Sequence, residues 1–183
     1  MPKKNLKFQR IVLTGGPSTG KTSIINFLKK KGHYCFDEIS RQVIQEYQTK
    51  GIPQPFKTHP NEFSNQIFES RVQQFEKAKF TDKPVLFYDR GLPDVIAYMN
   101  SVNTKVFNYY QNETSSRKYS QIFIFPPWKE IYIKDTERFE SFEEALTIHK
   151  ALIKCYKNFG YLPIEVPFDT IENRGYFILN SIQ

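Results

Sequence analysis

The sequence predicts an α/β fold in which helices pack around a parallel sheet. Short apolar segments alternate with segments of helical periodicity along the chain, the pattern typical of strand–helix–strand units. A glycine-rich segment directly follows the first apolar segment, as it does where a buried strand leads into a phosphate-binding loop. We place the five strands at residues 10–14, 34–36, 85–88, 122–125 and 161–166.

Helices are expected between these strands. One begins directly behind the glycine-rich segment, and the others are predicted at 39–48, 61–79, 92–100 and 142–156. In the first of these four, Ile39, Val43 and Tyr47 recur at helical spacing. The proline-bearing stretch 51–60 is predicted to be a loop, and Pro93 suits the first turn of a helix, where its missing N–H is not needed.

Residues 15–22 fit the pattern Gly-x-x-x-x-Gly-Lys-[Ser/Thr] between a strand and a helix. The glycines let the loop curl so that backbone N–H groups converge on phosphate, and the following helix adds its positive N-terminal end. Lys21 is expected to reach the β- and γ-phosphates of a nucleoside triphosphate, and Thr22 to hold Mg²⁺ through its hydroxyl. The residues assigned to phosphate binding are Gly15, Gly16, Pro17, Ser18, Thr19, Gly20, Lys21, Thr22 and Ser23.

Length and composition predict one domain spanning residues 1–183. A hydrophobic fraction of 39% and an aromatic fraction of 16% are sufficient to build a core at this length. No apolar run is long enough to cross a membrane, and the first residues lack the apolar segment of a signal peptide. We therefore expect a cytoplasmic protein without a transmembrane segment.

The formal net charge of +7 is concentrated at the start of the chain. Lys3, Lys4, Lys7 and Arg10 precede the first acidic residue, and residues 1–8 are predicted to be a solvated basic tail. A weak contact of this tail with anionic lipid or nucleic acid is the alternative. Specific nucleic-acid binding is not expected, because the remaining positive charge suits a phosphate-binding enzyme.

Acidic and basic residues follow the second strand. Asp37, Glu38 and Arg41 come where a parallel strand ends, and ligands bind at the carboxyl ends of such strands. One interpretation is that Glu38 orients or deprotonates an acceptor hydroxyl while Arg41 holds an anionic part of the same acceptor. The other is that the carboxylates cap the helix and Arg41 forms an exposed ion pair.

A second polar cluster follows the third strand. Asp89 ends this strand where proteins with such loops present the carboxylate that accompanies Mg²⁺, and we assign Asp89 that role. Arg90 faces the same crevice and is expected to neutralise phosphate. Gly91 suits a tight exit from the strand, and Asp94 either contacts the acceptor or caps its helix.

The segment from about 126 to 140 is predicted to form a lid. Pro126 and Pro127 end the fourth strand, and Arg138 would stabilise charge on the transferring phosphoryl group. A surface loop with local ion pairs is the alternative. After the fifth strand, residues 166–169 are a candidate for adenine contacts, whereas no Asn-Lys-x-Asp stretch supports guanine recognition.

Together these elements resemble the P-loop AAA-domain proteins related to the ribosylnicotinamide-kinase domain of NadR. The resemblance is carried by Gly-Gly-Pro-Ser-Thr-Gly-Lys-Thr, by Glu38 with Arg41, by the stretch 89–94 and by Arg138 behind Pro-Pro-Trp. It implies a three-layer P-loop fold of the nucleoside/nucleotide-kinase type with strand order 2-3-1-4-5 and a lid before the last strand. It also implies that Glu38 and Arg138 belong to the active site.

The sequence therefore predicts an ATP- and Mg²⁺-dependent kinase of a small, nucleoside-like acceptor. The alternative is an ATPase or nucleotide-dependent switch that regulates a protein or an anionic lipid partner. The catalytic residues of the kinase hypothesis are Lys21, Glu38, Asp89 and Arg138, with Thr22 and Asp89 as metal ligands. Its acceptor-binding residues are Asp37, Glu38, Arg41, Arg90 and Asp94.

Overall fold

Five parallel strands form one sheet in the computed structural model, which describes residues 8–102, 104–132 and 141–182. The strand order is β2-β3-β1-β4-β5, with β1 in the centre. The predicted α/β class and the strand order are therefore confirmed. The strands are β1 (Gln9–Gly15), β2 (Tyr34–Phe36), β3 (Val85–Asp89), β4 (Gln121–Phe125) and β5 (Ile164–Glu165).

The helices surround this sheet. They are α1 (Lys21–Lys30), α2 (Ile39–Thr49), α3 (Pro55–Thr58), α4 (Pro60–Lys77), α5 (Leu92–Ser101), α6 (Asn108–Ser116), α7 (Phe142–Asn158) and α8 (Ile171–Ser181). The predicted loop at 51–60 contains the short helix α3, and the sequence analysis did not predict α6 or α8. In α8 an interior glycine, Gly175, weakens the helical signal. The side chain of Phe27 explains that glycine, because a Cβ at position 175 would lie 2.3 Å from the ring.

Both faces of the sheet are buried, which makes three layers. Ile11 and Leu13 of β1 point to a core formed with α1 and α8, whereas Val12 points to the opposite core, formed with α2, α4, α5, α6 and α7. All three side chains are fully buried. The uninterrupted Ile-Val-Leu run is explained by this arrangement, since successive residues of a central strand face different cores.

The parallel pairing brings the polar strand ends to one edge of the sheet. Leu13 of β1 lies beside Asp89 of β3, and Phe36 of β2 lies beside Tyr88 of β3. The segments that leave β1, β2 and β3 therefore begin next to one another. This edge carries the phosphate loop and the two acidic stretches singled out in the sequence.

Gly15 ends β1 in a backbone conformation that favours glycine. Its φ is +145°, and a Cβ at this position would lie 2.5 Å from the carbonyl oxygen of Phe125 on β4. The close approach of β1 and β4 therefore requires glycine at the start of the phosphate loop.

We predict that Gly15→Ala lowers the free energy of unfolding by at least about 2 kcal/mol, because the new Cβ meets both backbone strain and the Phe125 carbonyl. Gly32→Ala is the matched control, since Gly32 has a φ of +85° but open space around its Cα. The control is expected to cost about 1 kcal/mol. Urea denaturation measures both changes, and equal losses would contradict the steric explanation.

Candidate active site

The phosphate loop wraps around the amino group of Lys21. Lys21 Nζ donates hydrogen bonds to the carbonyl oxygens of Gly15 (3.0 Å) and Gly16 (2.8 Å) and contacts the Thr19 hydroxyl at 3.3 Å. Ser18 and Gly20 have φ values of +55° and +83°, so the loop has left-handed backbone at two positions before α1 begins, one of them a residue with a side chain. Such backbone strain is typical of ligand-binding loops.

Lys21 is 7% exposed, and this burial lowers its pKa to about 7. The neighbouring Arg90 guanidinium lowers the pKa further, whereas Asp89 and Glu38 oppose the shift. Burial thus makes the protonated form of Lys21 energetically unfavourable in the free protein. A bound phosphate would supply the negative charge that stabilises the protonated form.

A cleft of about 1110 Å³ opens beside this loop. The loop side of the cleft is formed by residues 17–23, Trp128, Ile131, residues 169–171 and Arg174. The helix side is formed by residues of α2 to α5 and of the segments that lead into these helices, among them Glu38, Arg41, Phe56, Phe63, Arg71, Arg90 and Tyr98. The cleft is large enough for a nucleotide together with a second small molecule.

Glu38 faces this cleft from the start of α2. Its carboxylate pairs with Arg90 Nε (3.3 Å) and with Arg41 Nε (3.2 Å). Burial raises the pKa of Glu38, but the positive charges of Arg90, Lys21 and Arg41 outweigh burial, and the net pKa is lowered. Glu38 is therefore an ionised hydrogen-bond acceptor in the cleft.

Asp37 lies elsewhere, although it is adjacent in sequence. Its carboxylate is 66% exposed and pairs with Lys29 of α1, and it does not line the cleft. Its carbonyl oxygen accepts a hydrogen bond from the Gln74 side chain of α4 at 3.0 Å. The structure thus separates two neighbouring carboxylates that the sequence grouped together.

Asp89 and Thr22 are the two residues predicted to hold a divalent cation, and of these Thr22 lines the cleft whereas Asp89 does not. Asp89 is 5% exposed, and within the described part of the chain its Oδ1 has no hydrogen-bond partner. Burial, aided by the charge of Glu38, raises the pKa of Asp89 to about 6. Thr22 is exposed and lines the cleft. A hard cation accepts one carboxylate and one hydroxyl and takes its remaining ligands from phosphate and water, so no larger cluster is needed. Indeed, none with three or more acidic, histidine or cysteine side chains is present in residues 8–102, 104–132 and 141–182.

Arg90 connects the loop to both carboxylate stretches. Its Nη1 donates to the carbonyl oxygen of Gly15 at 2.8 Å and lies 3.5 Å from Asp94 Oδ1, while its Nε contacts Glu38. Arg90 also adopts a φ of +72°, which is unusual for a residue with a side chain. The surrounding contacts stabilise this conformation at the exit of β3.

Asp94 is a buried hydrogen-bonding centre at the wall of the cleft. It is 1% exposed and accepts hydrogen bonds from the Thr14 hydroxyl (2.5 Å), the Gly91 N–H (2.9 Å) and the Tyr156 hydroxyl of α7. The bond from Gly91 caps the first turn of α5, as one of the two sequence interpretations expected. Thr14 and Tyr156 are partners that the sequence did not reveal.

Arg71 is a further residue of the site that was not predicted from the sequence. It is 3% exposed on α4, donates to the Gly91 carbonyl oxygen at 2.5 Å and lies 3.9 Å from Asp94 Oδ2. Its position on the inner face of α4, at helical spacing from Ile67 and Phe75, is the signal that was available. A charged residue in an apolar stripe points to a buried polar role.

The wall of the cleft near β4 and β5 is aromatic. Trp128 packs against Phe168 with ring centroids 5.2 Å apart, and the Trp128 ring lies beside the guanidinium of Arg174 on α8. This wall includes part of the stretch predicted to contact adenine. Arg138 lies outside the described residues, as does the rest of 133–140, so its role in a lid stays a prediction. The basic tail before residue 8 also lies outside them.

The strand order, the phosphate loop and the position of the cleft define a P-loop protein with a nucleoside/nucleotide-kinase-like fold. The chain belongs to the family described as AAA domain, whose match covers residues 10–174. No curated protein sequence matches the chain.

Solved structures with this fold include a deoxyadenosine kinase and the NadR protein. Deoxyadenosine kinase from M. mycoides with bound dATP is similar over 94% of this chain and 98% of its own, with 17% identity and a TM-score of 0.68. The NadR protein in complex with NR is similar over 95% of this chain, with 13% identity and a TM-score of 0.77. NadR in complex with NAD and AMP-PNP gives 14% identity and a TM-score of 0.69.

The chain spans about half the length of NadR, since its match covers 50% of that chain. At identities this low the likeness concerns the fold. No helix within the described ranges is both long and apolar enough to cross a bilayer.

We predict that ATP binding takes up a proton at Lys21. At pH 8 a group with a pKa of about 7 is mostly neutral in the free protein, and phosphate binding raises that pKa, so uptake approaches one proton. Uptake falls toward zero as the pH approaches 6, where Lys21 is already protonated. Calorimetry without Mg²⁺ in buffers of different ionisation enthalpy measures this, and Lys21→Met is expected to remove the uptake. Binding at pH 8 without proton uptake would contradict the assignment.

We also predict that Tyr156→Phe lowers the free energy of unfolding by about 1.5–3 kcal/mol, because the Tyr156 hydroxyl donates to the buried Asp94 carboxylate. Tyr110→Phe is the control, since the buried Tyr110 donates to the neutral Asn65 side chain at 3.2 Å. We expect the control to cost about 1 kcal/mol. Chemical denaturation distinguishes the two, and a smaller loss at Tyr156 than at Tyr110 would refute this role.

Proposed function

We propose that this protein is a Mg²⁺- and ATP-dependent kinase that phosphorylates a hydroxyl group of a small, nucleoside-like metabolite. The observation that carries the proposal is that Lys21 of the phosphate loop and the carboxylate of Glu38 line the same cleft. A phosphate donor held by the loop and an acceptor hydroxyl held by the carboxylate would therefore meet in one solvent-restricted space.

In the proposed transfer step, Glu38 would accept the proton of the acceptor hydroxyl. The acceptor oxygen attacks the γ-phosphorus, the bond from that phosphorus to the β–γ bridging oxygen breaks, and ADP leaves. The acceptor proton moves to Glu38, which is ionised before the reaction. Because phosphoryl transfer has a loose transition state, orientation of the hydroxyl contributes more than strong basicity. The lowered pKa of Glu38 is compatible with that role.

Positive charge stabilises the phosphoryl group as it moves. Lys21 would contact the β- and γ-phosphates, and Arg90 would face the transferring group from the end of β3. Thr22 and Asp89 would hold Mg²⁺, which supplies neutralisation and alignment of the phosphate oxygens. Arg138 is proposed to complete the charge from the lid segment.

The helix side of the cleft is suited to the acceptor. Arg41 pairs with Glu38 and also lines the cleft, so it can contact a polar or anionic part of the acceptor. Phe56, Phe63 and Tyr98 supply aromatic surface for a planar ring. The neighbouring structures support this class of acceptor, because deoxyadenosine kinase and NadR are both described with nucleoside-containing ligands.

The test incubates the protein with Mg²⁺, ATP and a panel of nucleosides and detects the phosphorylated product. We predict that Glu38→Gln lowers turnover at least about a hundredfold and changes the Kd for ATP less than threefold, because the side chain serves the acceptor. Glu46→Gln is the control, since Glu46 is an exposed carboxylate on the same helix that bonds Gln66. It is expected to retain full activity.

The same experiment separates the kinase from the alternative ATPase or switch. If water is the only acceptor and Glu38→Gln hydrolyses ATP at the wild-type rate, the kinase proposal fails. An equal loss of ATP affinity and turnover in Glu38→Gln would instead mean that Glu38 supports the nucleotide site, and the acceptor role would be wrong.

A further inference from the structure

Arg174 lies directly behind the phosphate loop, in a position that the sequence gave no reason to single out. It is on the second turn of α8, is 2% exposed, and lines the cleft. Its Nη2 donates a hydrogen bond to the carbonyl oxygen of Thr19 at 2.9 Å. A Cβ on Gly20 would lie 2.7 Å from Nη1, so the guanidinium is packed against the loop backbone.

The charge of this guanidinium is not balanced by a carboxylate. Within the described ranges, no acidic side chain comes within 4.0 Å of Arg174, and its Nε is buried without an acceptor. Burial alone lowers the pKa of Arg174. Buried arginines are normally paired, because an isolated charge in the interior is costly. An unpaired cation against an anion-binding loop therefore indicates a bound anion as its partner.

Two aromatic rings hold the guanidinium in place. Its Cζ lies 4.9 Å from the ring centroid of Phe125 on β4 and 5.4 Å from that of Trp128. The electron-rich ring faces compensate part of the charge. They also orient the guanidinium plane, so the same residue contacts both the phosphate loop and the aromatic wall of the cleft.

We propose that Arg174 is a positioning residue for the phosphate anion of the bound nucleotide, acting from behind the loop through its charge and its bond to Thr19. The inference rests on the proposed nucleotide binding, but not on transfer to an acceptor. Loop amides of this kind hold the α- and β-phosphates. The role concerns the phosphates rather than the base, because the bond of Arg174 goes to the loop and its charge is unpaired there.

The test measures the affinity of Mg²⁺-ATP and of inorganic tripolyphosphate for Arg174→Met and Arg174→Gln. Trp128 is the only tryptophan in the sequence and lies in the cleft wall, so its fluorescence can report binding, with calorimetry as a second readout. Tripolyphosphate has the phosphate chain without a base. Glutamine keeps a hydrogen-bond donor but lacks the charge. The Arg174→Gln variant therefore still tests the role of the charge if Arg174→Met does not fold.

Arg10→Met is the matched control. Arg10 also lies over aromatic rings, 4.0 Å from the Phe75 centroid and 4.3 Å from that of Phe8, and its Nε is likewise buried without a partner. It is at the start of β1, the opposite end of the strand from the phosphate loop. The control therefore removes one charge and one set of cation–π contacts without altering the loop.

We expect both Arg174 variants to weaken ATP and tripolyphosphate alike by about tenfold or more, and Arg10→Met to change neither by more than twofold. If both Arg174 variants bind tripolyphosphate with wild-type affinity, the proposal is overturned. This holds even if their ATP binding is weakened, because Arg174 would then act on the base and not on the phosphates. If Arg10→Met weakens the binding of both ligands equally, the effect is due to net charge and the proposal is overturned as well.

Wild-type protein that binds neither ligand would refute nucleotide binding and the role of Arg174 together. Wild-type protein that binds ATP but phosphorylates no acceptor would refute only the kinase activity.

Discussion

The contacts of Arg90 hold the site together. One guanidinium bonds the carbonyl oxygen of Gly15, pairs with Glu38 and lies beside Asp94, so it connects the ends of β1, β2 and β3. Arginine suits this position because its planar group presents several donors in fixed directions and stays charged when buried. Burial lowers the pKa of Arg90, but Tyr98 and the carboxylates of Glu38, Asp94 and Asp89 outweigh burial and raise it. Its left-handed backbone is stabilised by the same contacts.

The three ionisable groups near the loop differ in how their surroundings shift their pKa values. Lys21 is buried and its pKa is lowered, Asp89 is buried and its pKa is raised, and Glu38 remains ionised among arginines. Each shift follows from the balance between desolvation and the nearest opposite charge. Groups whose ionisation is costly in the free protein are the ones that gain most from a bound ion. In the proposed function, a phosphate would stabilise the protonated form of Lys21, and a metal ion would stabilise the ionised form of Asp89.

At the wall of the cleft, a polar layer connects the site to the second half of the chain. Asp94 receives bonds from β1, from the start of α5 and from Tyr156 of α7, and Arg71 of α4 joins it at the Gly91 carbonyl. α7 follows the segment predicted to form a lid. The residues that position Arg90 and Glu38 are therefore packed against the helix to which that segment leads. Every buried polar atom of the Asp94 carboxylate has a donor, which favours one well-defined arrangement.

The sequence by itself determined the α/β class, the phosphate loop, five of the longer helices and the acidic strand ends. These features depend on local periodicity and on a motif of fixed spacing. The order of the strands came from the resemblance to a known family. Only the tertiary structure decided that Glu38 enters the cleft while Asp37 pairs with Lys29, and that Asp94 is a buried centre of hydrogen bonds. It alone placed Arg71 and Arg174 at the site, from helices about 50 and about 150 residues after the loop. Those contacts join distant segments, so their partners depend on packing across the sheet. The apolar stripe around Arg71 could indicate that this residue is buried, but not which groups it contacts.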